Sequence, residues 1–150
     1  MLWFTHIIFA LFLSLIYVKN IPQLSPELFI IFVCIGSILP DIDAPKSFVN
    51  RKLKVTKLLT HIFQHRGFFH SIFPVIIIYA LFASAGWHTI ATALSLGYLS
   101  HLAIDAFTVK GINIIHPIPG LRISGFMDVG SITEWIIFSA LVIGTIAMIV

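Results

Sequence analysis

The chain has 150 residues, a length suited to one domain (1–150), with 59% hydrophobic and 10% charged residues and a mean hydropathy of +1.05. That balance excludes an ordinary soluble domain. Cys34 is the only cysteine, which excludes an internal disulfide and a thiolate metal cluster and leaves it as a small apolar residue of a helix.

The apolar residues come in blocks of about bilayer length. Residues 2–18 (LWFTHIIFALFLSLIYV) form the first. No small-x-small cleavage site follows this block and no basic residue precedes it, so it reads as a span rather than a signal peptide. Residues 27–40 are short for a span and are expected to be tilted or partly inserted. Residues 68–87 and 88–107 form a helical hairpin around Gly86, and residues 131–150 close the chain. No internal repeat interrupts the pattern. The expected fold is all-α, an integral membrane bundle of four to five transmembrane helices.

The net charge of +3 is informative by position. Lys46, Arg51, Lys52, Lys54, Lys57 and Arg66 crowd the loop after the second block, and Lys110 and Arg122 lie before the last; only Lys19 lies in the opposite set of loops. The positive-inside rule puts the basic loops in the cytoplasm, with the N-terminus inside and, for five spans, the C-terminus outside. Beside a membrane such loops meet anionic headgroups, and no nucleic acid partner is expected.

On that topology the titratable residues fall at one depth. His6 is one turn into the first span, Asp41 and Asp43 follow the second in SILPDIDAP, and His65 and His70 flank the third in HRGFFHS. His101 and Asp105 lie four apart, on one face of the fourth, and Glu134 enters with the fifth. Gly97, Tyr98 and Thr108 extend that face as a small or polar stripe suited to helix contact. An aspartate at such depth costs about 2.5–3.5 kcal/mol on insertion scales. A bound cation offsets that cost by neutralising the carboxylates.

The candidate metal ligands are therefore His6, Asp41, Asp43, His65, His70, His101, Asp105 and Glu134. Imidazoles and carboxylates without sulfur suit zinc first, then manganese or iron, and their number allows one or two ions at the cytoplasmic end of the bundle. Asp43, His70 and Arg66 are the candidate catalytic residues, Arg66 because a guanidinium suits phosphate. His61 and His116 are weaker candidates, and His88 falls at the opposite membrane face. Ser71 and Ser100 adjoin ligands without a triad, and no GxSxG motif is present.

The motifs GSILPDIDAP, HRGFFHS and GYLSHLAIDAFTVKGINIIHP, in this order after an N-terminal THxxF-type start, resemble the YdjM/YbcI-type family of inner-membrane metal-dependent hydrolases over nearly the whole chain. The resemblance implies that His6, Asp41, Asp43, His65, His70, His101 and Asp105 are the family's polar signature; Thr108 and Gly111 match the end of its last motif, and Glu134 matches an acid of its closing helix. His116 departs from it, standing where an aromatic residue is common. A distant similarity to zinc-dependent phospholipase C implies phosphoester chemistry. The expected function is metal-dependent hydrolysis of a lipid or lipid-linked phosphate at the cytoplasmic face of the inner membrane, with a cation transporter or a non-catalytic metal-binding scaffold as alternatives. One-sided polarity favours a site over a path through the bilayer.

Overall fold

The computed structural model describes residues 1–18, 25–43, 67–118 and 120–150. Among them run five α-helices: α1 (Trp3–Val18), α2 (Pro26–Ile38), α3 (Ile72–Ser84), α4 (His88–Ala106) and α5 (Ile132–Ile149). A 3₁₀ turn, Leu39–Asp43, continues α2, and another, Phe68–His70, precedes α3. Two short strands, β1 (Ile112–Asn113) and β2 (Arg122–Ile123), pair antiparallel between α4 and α5. The all-helical class expected from the sequence holds.

Local chemistry sets the helix ends. Ser25 caps α2 by accepting from the Leu28 N–H at 3.3 Å, and Pro26 occupies the first turn, where its missing N–H is harmless. Ser131 caps α5 by accepting from the Glu134 N–H at 3.3 Å. Beyond α4, Thr108 donates to the Asp105 carbonyl at 2.7 Å and accepts from the Gly111 N–H at 3.3 Å, so the TxxG end of the long motif is a helix stop. Gly111 has a φ of +58°, and a Cβ there would collide with the Ile123 carbonyl of the facing strand.

Helix α4 is the hub. It packs against α1, α2 and α3, whereas α5 leans on α1. At the α2–α4 crossing two glycines face the partner backbone: a Cβ on Gly36 would strike the Leu94 carbonyl, and one on Gly97 the Val33 carbonyl. Small residues let helices approach this closely without a soluble-type hydrophobic drive. Ala10, Phe29, Val33 and Ala93 fill the core beside this crossing. Val75, Tyr98, Leu102 and Ile112 form a second cluster between α3, α4 and β1.

The outward surface is oily. Ile132 is 80% exposed, Ile143 68% and Leu81 64%, a display that suits lipid contact rather than water. Among the described residues, α5 is the helix long and apolar enough to cross a membrane, while α1 and α3 are apolar but shorter. The 68–87 block yields a helix of only 13 residues because residues 68–70 turn and the helix ends at Ser84. Such a helix is about 20 Å long, short of a hydrocarbon core of about 30 Å.

Gly97→Val is expected to lower the thermal midpoint of purified protein, since overpacking a tight contact costs roughly 1–3 kcal/mol. Ala103→Val, on the exposed side of the same helix, is expected to leave it within a degree or two, of the order of the ±0.5 kcal/mol typical of surface changes. Equal midpoints for the two variants would show that the crossing tolerates a Cβ.

Candidate metal centre

Four elements deliver side chains to one buried point. Helix α4 supplies His101 and Asp105, which are 0% and 1% exposed. Helix α1 supplies His6, the turn after α2 supplies Asp41, and the turn before α3 supplies His70. The His6 and His101 rings stack with centroids 3.8 Å apart and planes 10° off parallel. His70 meets His101 edge-on at 5.3 Å. Its turn is held in place by Tyr98, whose hydroxyl donates to the Phe69 carbonyl at 2.5 Å.

His101 has its orientation fixed from behind. Its Nδ1 lies 2.7 Å from the Ser37 carbonyl oxygen. A carbonyl only accepts, so Nδ1 carries the proton and Nε2 presents a lone pair to the centre. The sequence explains why that carbonyl is available. In the 3₁₀ turn it would face the N–H of residue 40, and residue 40 is proline, which has none. The Nε2 atom itself is buried without a hydrogen-bond partner among the described residues. A buried ring nitrogen of that kind, aimed at carboxylates, is suited to holding a cation.

Four atoms form a ring of donors. His70 Nε2 lies 3.7 Å from Asp41 Oδ1 and 3.6 Å from Asp105 Oδ2; His101 Nε2 lies 3.8 Å from each of the same two oxygens. These separations are too long for hydrogen bonds. Atoms bound tetrahedrally to one ion at about 2.0–2.1 Å lie roughly 3.3–3.4 Å apart, so closure needs a shift of a few tenths of an ångström. The donor set is of the kind that could hold a divalent metal ion. The other oxygen of Asp105, Oδ1, is 3.6 Å from His6 Nε2 and accepts from the Met1 amine at 2.6 Å. Asp105 thus faces positive or metal-seeking groups on both sides. Two overlapping triads, His6–Asp41–His101 and His70–His101–Asp105, have the spacing to hold metal.

Asp41 has the most exposed carboxylate of the four donors, at 24%, and marks the approach from outside. Burial pushes its carboxyl up, but the imidazoles of His70 and His101 outweigh that and hold its pKa at about 2. It stays ionised throughout the physiological range.

The remaining expected residues are placed otherwise. Glu134, expected as a ligand, is fully buried, but both of its oxygens are engaged away from the centre. Oε1 accepts from the Leu2 N–H at 2.7 Å and the Thr5 hydroxyl at 2.9 Å, and Oε2 accepts from the Gly130 N–H at 2.7 Å. It ties the start of α1, and hence His6, to the start of α5. The signal for this was in the sequence as Ser131-x-x-Glu134, a capping-box pattern in which the third-position acid reaches back to backbone N–H groups. Asp43 ends the turn after α2, and its side chain lies outside the described residues, as do His61, His65 and Arg66. His116 sits in the turn between β1 and β2, outside both triads. Ser71 and Ser100 donate to the Phe68 and Gly97 carbonyls at 2.7 and 2.6 Å, so neither hydroxyl is set up as a nucleophile.

An oily, all-helical protein with a buried imidazole–carboxylate cluster of metal-ligand type is the class that fold and site define. The chain belongs to the YdjM inner membrane protein family, whose model matches residues 1–149. It is 42% identical over 87 residues to inner membrane protein YdjM of Escherichia coli (strain K12), and equally to that of Shigella flexneri. The match takes in 53% of this chain and 44% of each relative, so the chain spans less than half the length of these proteins. It is also 30% identical over 114 residues to the uncharacterized protein YvsG of Bacillus subtilis (strain 168), covering 74% of this chain and 71% of that one. No solved structure matches.

His70→Ala, His101→Ala and Asp105→Ala are each expected to lower zinc affinity by at least about 100-fold, beyond the 10–100-fold typical of outer-shell changes. Glu134→Gln is expected to retain the metal while melting earlier, and His88→Ala to do neither. Protons compete for imidazole, so metal should be lost on acidification and regained as pH rises. Metal analysis of detergent-purified protein across these variants and pH values is the check; full occupancy in Asp105→Ala would remove the centre as drawn.

Proposed function

We propose that the chain is a multi-pass inner-membrane hydrolase that uses a divalent metal, zinc in the first instance, to cleave a phosphoester bond of a lipid or lipid-linked substrate. The observation that carries this reading is the ring of two imidazole nitrogens and two carboxylate oxygens at 3.6–3.8 Å, enclosed by helices with lipid-suited outer faces. A structural zinc site is usually built from thiolates and closed. This one is rich in carboxylates, and the part-exposed Asp41 leaves one side approachable.

A metal bound here would supply a water of lowered pKa and polarise a phosphoryl oxygen. The chain's own residues do the rest. His101, fixed by Ser37, and His70, fixed through Tyr98, hold the centre rigid. Asp105 can serve two cationic partners through its separate oxygens, which supports a one- or two-ion site. In this reading His70 serves as a ligand, Asp43 handles protons, Arg66 takes the substrate phosphate, and His65 completes the ligand set.

The orientation belongs to the same proposal. The basic loop carrying Lys46 to Arg66 faces the cytoplasm with the N-terminus and the metal centre, and the C-terminus faces outward. Tags placed within 44–64 are expected to report from the cytoplasm and a tag after Val150 from the other side. Both termini reporting from one side would remove a span.

Metal-loaded protein in lipid nanodiscs is expected to release phosphate or a phosphorylated headgroup from phospholipids or prenyl phosphates. Turnover should fall at least about 100-fold in His101→Ala and Asp105→Ala, the scale of losing a key catalytic group. Arg66→Ala should act mainly on substrate affinity. The variants are expected to remain helical by circular dichroism, so that lost turnover is not lost protein. Metal-replete protein that cleaves no phosphoester but carries cations into liposomes would establish the transporter reading instead.

A further inference from the structure

A cavity of about 280 Å³ lies beside the metal centre, walled by α1, α4, α5 and the loop after β2. Phe9, Ile104, Phe107, Phe126, Met127 and Leu141 line it, and every lining residue is apolar. It adjoins the centre through two of its lining residues. Met1 lines the cavity while its amine is bound by Asp105 Oδ1 at 2.6 Å, and Ile104 immediately precedes Asp105. It also has a direction. The inner wall is buried, with Ile104 6% and Met127 4% exposed, whereas Phe107 and Phe126 at the other end are 58% and 78% exposed.

An apolar cavity gives water no hydrogen-bond partner, so hydrocarbon fills it more favourably than solvent does. Its volume falls near the lower end of small-molecule sites, roughly 300–1,000 Å³, which suits part of a single chain rather than a whole two-tailed lipid. Ile137 and Leu141 of α5, the helix long and apolar enough to cross a membrane, complete the wall. The inner end adjoins groups that would take a charged head. Resting on the hydrolase reading above, we infer that this cavity is the tail subsite: it takes the proximal methylenes of an acyl or isoprenyl phosphate whose phosphate lies at the His70–His101–Asp105 centre. The cavity thereby selects substrates with a hydrocarbon chain attached close to the phosphate.

The test does not depend on turnover. A long-chain monoalkyl phosphate with a diazirine on one of its first few methylenes is photolysed with zinc-loaded full-length protein in nanodiscs, and labelled peptides are mapped. Label should concentrate on the segments holding Phe126–Met127 and Ile137–Leu141, and Leu141→Trp, which fills the cavity, should reduce it at least about fivefold with metal content unchanged. Ile137→Phe occupies the same space and replaces Leu141→Trp if that variant fails to fold. Label spread evenly over the lipid-facing helices, or indifferent to both variants, would overturn the subsite. Cavity labelling without phosphoester cleavage would keep the subsite and overturn the hydrolase reading; cleavage without cavity labelling would do the reverse.

Discussion

The close approach of α2 and α4 is the constraint from which the rest follows. Gly36 and Gly97 remove the side chains that would hold the two backbones apart. Only at that separation can the carbonyl of Ser37, one residue past Gly36, reach the ring of His101, one turn past Gly97. That contact selects the tautomer and leaves Nε2 facing Asp41 and Asp105. The glycines therefore shape the His/Asp cluster as much as its own side chains do, although neither touches it. Pro40 contributes in the same indirect way, by withholding an N–H that would otherwise compete for the Ser37 carbonyl.

The electrostatic problem raised by Asp105 is solved by company rather than by exposure. Its carboxylate is nearly inaccessible, yet His6, His70, His101 and the Met1 amine all face it within 3.8 Å. A carboxylate so enclosed needs positive charge, and the imidazoles present a site for it. Glu134 meets a similar cost differently, through three hydrogen bonds from backbone and hydroxyl donors. Two buried acids at the same end of the bundle thus differ in role, since one collects ligands and the other fastens helices.

Much of this was legible in the sequence. The spacing of His101 and Asp105 on one helix face follows from helical periodicity, His6, Asp41 and His70 were expected beside them, and the fold brings all five together. What the sequence hid has physical reasons. A backbone acceptor such as the Ser37 carbonyl leaves no residue-type signature. Glu134 was expected as a ligand because an acid in an apolar segment invites a metal, and the Ser131-x-x-Glu134 pattern that explains it went unread. The lengths of the helices were overestimated where turns consume apolar residues: 27–40 gives a helix ending at Ile38, and 68–87 one confined to 72–84. Apolar runs record burial or lipid contact, and a 3₁₀ turn satisfies that record as well as a helix does.

The dependence of α5 on α1 has a consequence for biogenesis. All five residues that meet at the centre lie between positions 6 and 105, whereas the carboxylate that fastens the start of α1 is at position 134. During synthesis the ligands have all emerged before the fastening does. The ribosome therefore delivers all five side chains while α1 is held only by α2 and α4, and the last helix arrives afterwards as a clasp on its start. Assembly of the His/Asp cluster and closure of α5 over the start of α1 are thereby separable events, ordered by the direction of translation.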